Sequence, residues 1–477
     1  MALIHKAPAN AGLSTTRTPS PVRAAGLLLG LTLLATVPLS ACSATGEADP
    51  LPTSTLSAAS TPSVDAHHTP AQQPQAQRTR ARQAQATLTA FVDAARRGDA
   101  AVTTSLVSGR DPTFATRTRV WADNLQGIDW AAMTWTVRAQ QAPLSAERRS
   151  ALGADAWVQE VSVTWSLPGE SRRAEERLWL TFVTDATVND VTGAPGSGTG
   201  APTGSGGTVR LAGERDGPSR LTATPLWLMQ PVRLYTDDGV RLLTDADAGH
   251  AAHDWLRIAA AARAQTISRV GAAARDRETP LVVEIPQSRT AFERVLGVAE
   301  NSYATVAAAA WPMGTDTATA PIHVVVNPES SARLSPLGRK ILLTHEAVHV
   351  VTRSPGSAAP TWLVEGYADQ IAYRAHPDAR VPALTRVTDE VQAHGAPTDW
   401  PAESDFAPTA KHLDLAYDLA WTACRFIAAA HGTAGLNRLY AAVDHGATLE
   451  GAADRLGTSE PALLRGWRAD LSRLAKR

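Results

Sequence analysis

Hydrophobic positions along the chain recur with two periods, and the changeovers between them mark out its elements. Residues 85–97 place Leu88, Phe91, Val92 and Ala95 at helical spacing, and a second short helical piece covers about 99–107. Residues 133–137, 156–165 and 177–183 then alternate apolar with polar and are rich in Val, Thr and Trp. That pattern predicts antiparallel strands with one buried face. A Gly/Pro/Ser/Thr-rich insert at 192–208 predicts a flexible loop, after which 226–228 and 232–235 are expected to resume the sheet. Residues 245–274 are Ala-rich and helical in pattern. Strands are expected at 281–285 and 321–327, with a helix at about 289–308 between them. Downstream the pattern is helical: 413–430 closed by Gly432, then 436–443 and 449–456. A last helix is capped by Ser459 or Thr458, with Pro461 in its first turn and Trp467, Leu471 and Leu474 as its buried stripe.

Helix, antiparallel strands and then helices make an α+β chain, with expected domains at 81–244 and 245–477. The first has the outline of a cone and resembles the nuclear-transport-factor-like superfamily. The resemblance implies an accessory domain that binds a ligand or docks a partner.

The N-terminal 80 residues follow neither period. A polar lead with Lys6, Arg17 and Arg23 precedes an apolar run from Ala24 to Pro38 that ends in Leu39-Ser40-Ala41-Cys42. Basic flank, short apolar run and small residues before a cut are the parts of a secretory signal, and the run is short for a spanning helix. The last four residues resemble a bacterial lipobox. That resemblance implies a signal peptide over 1–42, acylation of Cys42, and attachment to the extracytoplasmic face of a bacterial membrane. Residues 43–80 are mostly Ala, Ser, Thr, Pro and Gln, cannot bury enough surface to fold, and predict a disordered tether.

Charge excludes more than it indicates. Lys+Arg is 45 and Asp+Glu is 46, a formal net charge of −1, so no nucleic-acid partner is expected. The two cysteines, Cys42 and Cys424, make no disulfide framework, and Cys424 lies in a helical pattern as a small buried residue. His250 and His253 are three apart, but no further ligand type stands beside them. They are expected at the surface.

The chemistry concentrates in His345-Glu346-Ala347-Val348-His349. On a helix His345 and His349 share one face, where two imidazoles can bind one metal ion. Glu346 stands about 100° round, at the rim of that face, where a carboxylate reaches a metal-bound water. The flanking residues from Ile341 to Val351 are apolar nearly all round, so the helix is expected to be buried. Polar groups there are costly unless paired or coordinated. Sixteen residues after His349, Glu365 sits in a second apolar helix, Trp362-Leu363-Val364-Glu365-Gly366-Tyr367-Ala368-Asp369. His/His/Glu with one open position is a known catalytic zinc set. Gly366 and Ala368 are small enough to let this helix pack closely on the first. Asp369, one turn after Glu365, is placed to accept the free ring N–H of a ligand histidine, assigned here to His345.

The joint motif H-E-x-x-H and W-L-x-E-G-x-A-D resembles the gluzincin metallopeptidases, which include thermolysin and the large zinc aminopeptidases. The closer likeness is to short peptidase MA-like bacterial members, from about Leu281 to the C-terminus. The resemblance implies a mostly helical peptidase domain, Zn2+ on His345, His349 and Glu365, Glu346 as general base, and a peptide or protein substrate. It implies an oxyanion-stabilising residue on a helix beyond Glu365, for which Tyr417 is the candidate and His412 its rival. It implies an edge strand ahead of the zinc helix, against which substrate backbone pairs, and 322–327 is the candidate. The chain lacks the Gly-Ala-Met-Glu-Asn-type amine clamp of the aminopeptidases. The opposing expectation is a non-catalytic lipoprotein that binds a ligand or partner and retains a degenerate peptidase domain. An intact Glu346 speaks against it, because a structural zinc site needs no general base.

Overall fold

The computed structural model describes residues 72–185, 207–218, 223–407 and 410–476. Cys42, the signal segment, the tether up to residue 71 and nearly all of the 192–208 insert lie outside them, while residues 72–80, expected to be disordered, are helical. The fold is α+β, an antiparallel sheet followed by a mixed sheet and a mostly helical C-terminal region.

Three helices, α1 (Gln72–Arg96), α2 (Ala100–Ser105) and α3 (Pro112–Gly127), lead into the first sheet. Asp99 and Asp111 start α2 and α3 by accepting the backbone N–H of Val102 and Phe114, and Pro112 occupies the first turn of α3. The sheet runs in chain order through β1 (Ala132–Ala142), β2 (Trp157–Ser166), β3 (Ala174–Asp185) and β4 (Thr208–Glu214), with α4 (Ala146–Leu152) between β1 and β2. All its pairings are antiparallel, as the alternation predicts. Residues 226–228 form no strand. They make a 3-10 turn that drives Trp227 into the core, its ring 5.1–5.9 Å from those of Trp130, Trp135 and Trp165. Buried Asn124 replaces the missing ladder. Its Nδ2 donates to the carbonyls of Trp227 and Gln230, and its Oδ1 accepts from Val232 N–H.

The second sheet contains β5 (Val232–Asp237), β6 (Val240–Asp245), β7 (Leu281–Ile285), β8 (Ala308–Pro312) and β9 (Ile322–Val326), in the order β5-β6-β7-β9-β8. α5 (Gly249–Val270) joins β6 to the parallel β7. Three expectations are corrected here. Residues 232–245 belong to this sheet and not to the first, so 232–235 do not resume the first sheet and a boundary at 244/245 falls inside β6, before Asp245. And β9 is bonded on both sides, by β7 and β8, so the edge strand is β8. The helix expected at 289–308 stops at Leu296, because Gly297 takes a left-handed C-cap with φ 67°. Ala308-Ala309-Ala310-Trp311-Pro312 then pairs with β9 despite its alanines, and Pro312 suits the end of an edge strand.

The remaining helices are α6 (Arg289–Leu296), α7 (Pro328–Ser331), α8 (Pro336–Thr352), α9 (Thr361–Ala375), α10 (Arg380–His394), α11 (Leu413–Asp444), α12 (Leu449–Asp454) and α13 (Glu460–Leu474). α11 breaks at Gly432, whose φ is 74°, where the sequence pattern closes one helix and opens another. Ser459 caps α13, and Trp467 and Leu471 are buried as expected. Cys424 is buried against α9. His253 is exposed and bonded to its own helix start at the Gly249 carbonyl.

Between the sheets stands a buried charged triad. His323 on β9 has Nδ1 2.7 Å from Glu284 on β7 and Nε2 2.9 Å from Glu170, in the β2–β3 turn. Burial alone would depress its pKa; the two carboxylates outweigh it and raise the imidazole to about 10.

Candidate metal centre

Helix α8 carries the first half of the site. Ser335 caps it by accepting Gly338 N–H, and Pro336 opens its first turn. Leu342, Leu343, Ala347 and Val350 pack with Val324 and Val326 of the second sheet, while Val348 and Val351 pack with α9 and α11. With both sides covered, His345 and Glu346 are wholly buried and His349 nearly so. The two imidazoles lie 4.6 Å apart, edge to face.

Helix α9 carries the second half. Its N-cap is Pro360, which offers no side-chain acceptor, and Glu403 from the α10–α11 connection supplies one, accepting from Thr361 N–H. Gly366 sits where α9 meets α11, not α8 as expected: a Cβ there would lie 2.2 Å from the Ala420 carbonyl oxygen.

The helices bring the ligand atoms to one point. Nε2 of His345 is 3.1 Å from Oε2 of Glu365 and 2.8 Å from Nε2 of His349; His349 Nε2 and Glu365 Oε2 are 3.5 Å apart. Three donors set tetrahedrally about 2.0–2.1 Å from a zinc ion stand roughly 3.3 Å from one another. Among the described residues these three form the one cluster of this kind able to hold a metal ion. Neither carboxylate oxygen of Glu346, nor Oε1 of Glu365, has a hydrogen-bond partner among them. Buried carboxylates left so are costly, and a cation with its water satisfies them. The residues therefore fit a metal.

The electrostatics agree. Burial drives the His345 pKa down, but Asp369 and Glu365 outweigh it and raise it to about 10. Burial likewise pushes Glu365 up, and the two histidines reverse this and hold it far below the usual carboxylate range. A potential that retains a proton on His345 also favours a cation. Burial raises the pKa of Glu346, opposed by His345 and His349.

Asp369 stands as expected, with Oδ1 2.8 Å from Nδ1 of His345. Tyr417 is brought beside the cluster, its ring 6.4 Å from that of His345 and backed by Phe406. His412 is exposed at the N-cap of α11. The sequence reading missed Ser354, whose Oγ lies 2.6 Å from Nδ1 of His349. It also missed Glu403 and the His323 triad. Ser354 follows the helix end and Glu403 is distant in sequence, so no periodicity marks either; His323, a polar residue in an apolar strand, was a visible signal.

Comparison with family models, curated proteins and solved structures finds no match. Among the described residues no helix is long and apolar enough to cross a membrane.

Proposed function

We propose that this protein is a zinc-dependent peptidase of the gluzincin, peptidase MA-like type, held at the extracytoplasmic face of a bacterial membrane by a lipid on Cys42. One observation carries the reading. Two imidazole nitrogens and a carboxylate oxygen converge beside a buried, unpartnered glutamate, which is a ligand set and a base in one place. Two nitrogens, one oxygen and an open position make a zinc set of catalytic type.

Zinc bound there supplies Lewis-acid polarisation of the scissile carbonyl and acidifies a water molecule. Glu346, with both carboxylate oxygens unpartnered among the described residues, is the base that would take the proton of an attacking water. The same carboxyl then delivers the proton to the departing amine nitrogen as the C–N bond breaks. Burial favours the neutral carboxyl and so brings this group closer to the balance such a shuttle needs. Tyr417, whose ring lies beside that of His345, would donate a hydrogen bond from its hydroxyl to the developing oxyanion and keep its proton. Asp369 fixes the ring of His345. The four-stranded sheet is read as a cone-like accessory layer, with peptides or proteins as the substrate class.

The test uses protein lacking residues 1–42. It should hold about one zinc per chain, which His345→Ala abolishes. Glu346→Gln should keep the zinc and lose peptide cleavage by ~10²–10⁴-fold. Metal-free wild type would remove the zinc site. Zinc-loaded wild type that cleaves a peptide library no faster than Glu346→Gln would favour the non-catalytic binding lipoprotein.

A further inference from the structure

A metal-binding imidazole must offer a lone pair, so in the neutral ring the proton belongs on the opposite nitrogen. At His345 the Asp369 carboxylate only accepts, which fixes Nδ1 as the protonated nitrogen and leaves Nε2 free. His349 has no carboxylate at its Nδ1. It faces the Ser354 hydroxyl at 2.6 Å, five residues along the chain and beyond the helix end.

The chain turns back to this point through an uncommon conformation. Arg353, immediately before Ser354, is left-handed at φ 54° and ψ 41°. For a residue with a Cβ this costs about 1–2 kcal/mol, and helices that end this way usually place glycine there. Arg353 is nonetheless locked in place. Its backbone N–H caps the His349 and Val350 carbonyls, and its Nη2 donates to the carbonyls of Ala320 (2.8 Å) and Ala318 (3.1 Å). Nη1 lies 3.7 Å from Asp276. The backbone N–H groups of Arg275 and Asp276 hold the last turn of α8 at the Val351 carbonyl, at 2.9 and 3.0 Å. Backbone strain that is held so firmly beside a reactive centre points to a positional requirement there.

We propose that Ser354 is a positioning residue of the metal centre: Nδ1–H of His349 donates to its Oγ, which leaves Nε2 as the ligand nitrogen, and the left-handed turn at Arg353 delivers the hydroxyl to that spot. The proposal rests on the zinc reading above. The two histidines are thus oriented by different chemistries, one by a carboxylate from α9 and the other by a hydroxyl from the turn that ends α8.

The test is zinc affinity, read by competition against a chromophoric chelator, in protein lacking residues 1–42. Ser354→Ala should bind zinc about tenfold more weakly or worse, the range typical of losing an imidazole's outer partner. Ser354→Thr keeps the hydroxyl and should stay within about threefold of wild type on the same scale. Thermal unfolding of the metal-free proteins separates positioning from folding, since a positioning role leaves the Ser354→Ala midpoint unchanged. Zinc affinity of Ser354→Ala equal to wild type overturns the proposal, as does a loss that Thr fails to restore. A wild type that binds no zinc overturns the zinc reading itself and this proposal with it.

Discussion

Oδ1 of Asp369 lies 2.8 Å from Nδ1 of His345, one helical turn beyond Glu365, whose Oε2 approaches the other nitrogen of the same ring. One helix thus supplies both a candidate ligand and the group that aims a second candidate ligand. Asp369→Asn keeps the shape but weakens the acceptor. It should lower zinc affinity by about 10–100-fold. The urea midpoint of the metal-free protein should move little. Unchanged zinc affinity would deny Asp369 this role.

Metal removal should be visible in stability. Zinc that binds the folded chain alone adds about 4 kcal/mol at a free concentration 1,000 times its dissociation constant. A chelator should therefore lower the thermal midpoint of wild type, and added zinc should restore it. Glu365→Ala should show neither response. A midpoint indifferent to chelator would mean that the cluster holds no metal in solution.

The close approach of α9 and α11 leaves no room at Gly366. A methyl group there meets the Ala420 carbonyl oxygen at 2.2 Å, and backbone yields less readily than a side chain. Gly366→Ala should destabilise metal-free protein by about 1–3 kcal/mol or more, measured by chemical denaturation. It should also loosen zinc, since Glu365 is the preceding residue. Wild-type stability would show that the helices can part without cost.

Glu176 on β3 supplies a pH dependence separate from the metal. Burial, and secondarily the charge of Glu175, raises its pKa from 4.5 to about 8. Between those values the folded chain holds a proton that the unfolded chain has lost, so stability falls as pH rises from about 4.5 and levels off above about 8. Glu176→Gln should flatten that fall and stabilise the protein at pH 8 by about 1–3 kcal/mol, allowing for relaxation around the buried group. Parallel stability–pH curves for the two proteins would refute the assignment.

Anchoring is tested at Cys42. Cys42→Ser should leave the membrane fraction or accumulate unprocessed. A variant that stays membrane-bound with the wild-type mature N-terminus would rule out the lipid anchor.

The sequence was most legible where a single element carries its own signal. The four-residue spacing of His345 and His349, the turn from Glu365 to Asp369, and the antiparallel strands β1–β3 were each readable within one segment, and the structure shows them so arranged, although β2 is buried on both faces where alternation predicted one. What failed depended on partners elsewhere. The helix expected to reach 308 stops at Leu296, and Ala308–Pro312, given no element by the pattern, becomes a strand once β9 offers it a ladder. Residues 226–228 look like a strand until Asn124 satisfies their backbone from α3. α3 itself escaped notice because Thr118 interrupts the apolar face of Phe114, Trp121 and Leu125. Gly366 announced close packing but not against which helix.

The triad of Glu170, His323 and Glu284 bears on how the molecule can be divided. A fragment starting at Val232 would keep the imidazole and Glu284 but lose the carboxylate that pairs with Nε2. A fragment ending before Val232 would expose Glu170, whose Oε2 also receives Leu167 N–H within its own turn. Grafting the helical half onto another N-terminal layer therefore requires an acceptor at the position of Glu170.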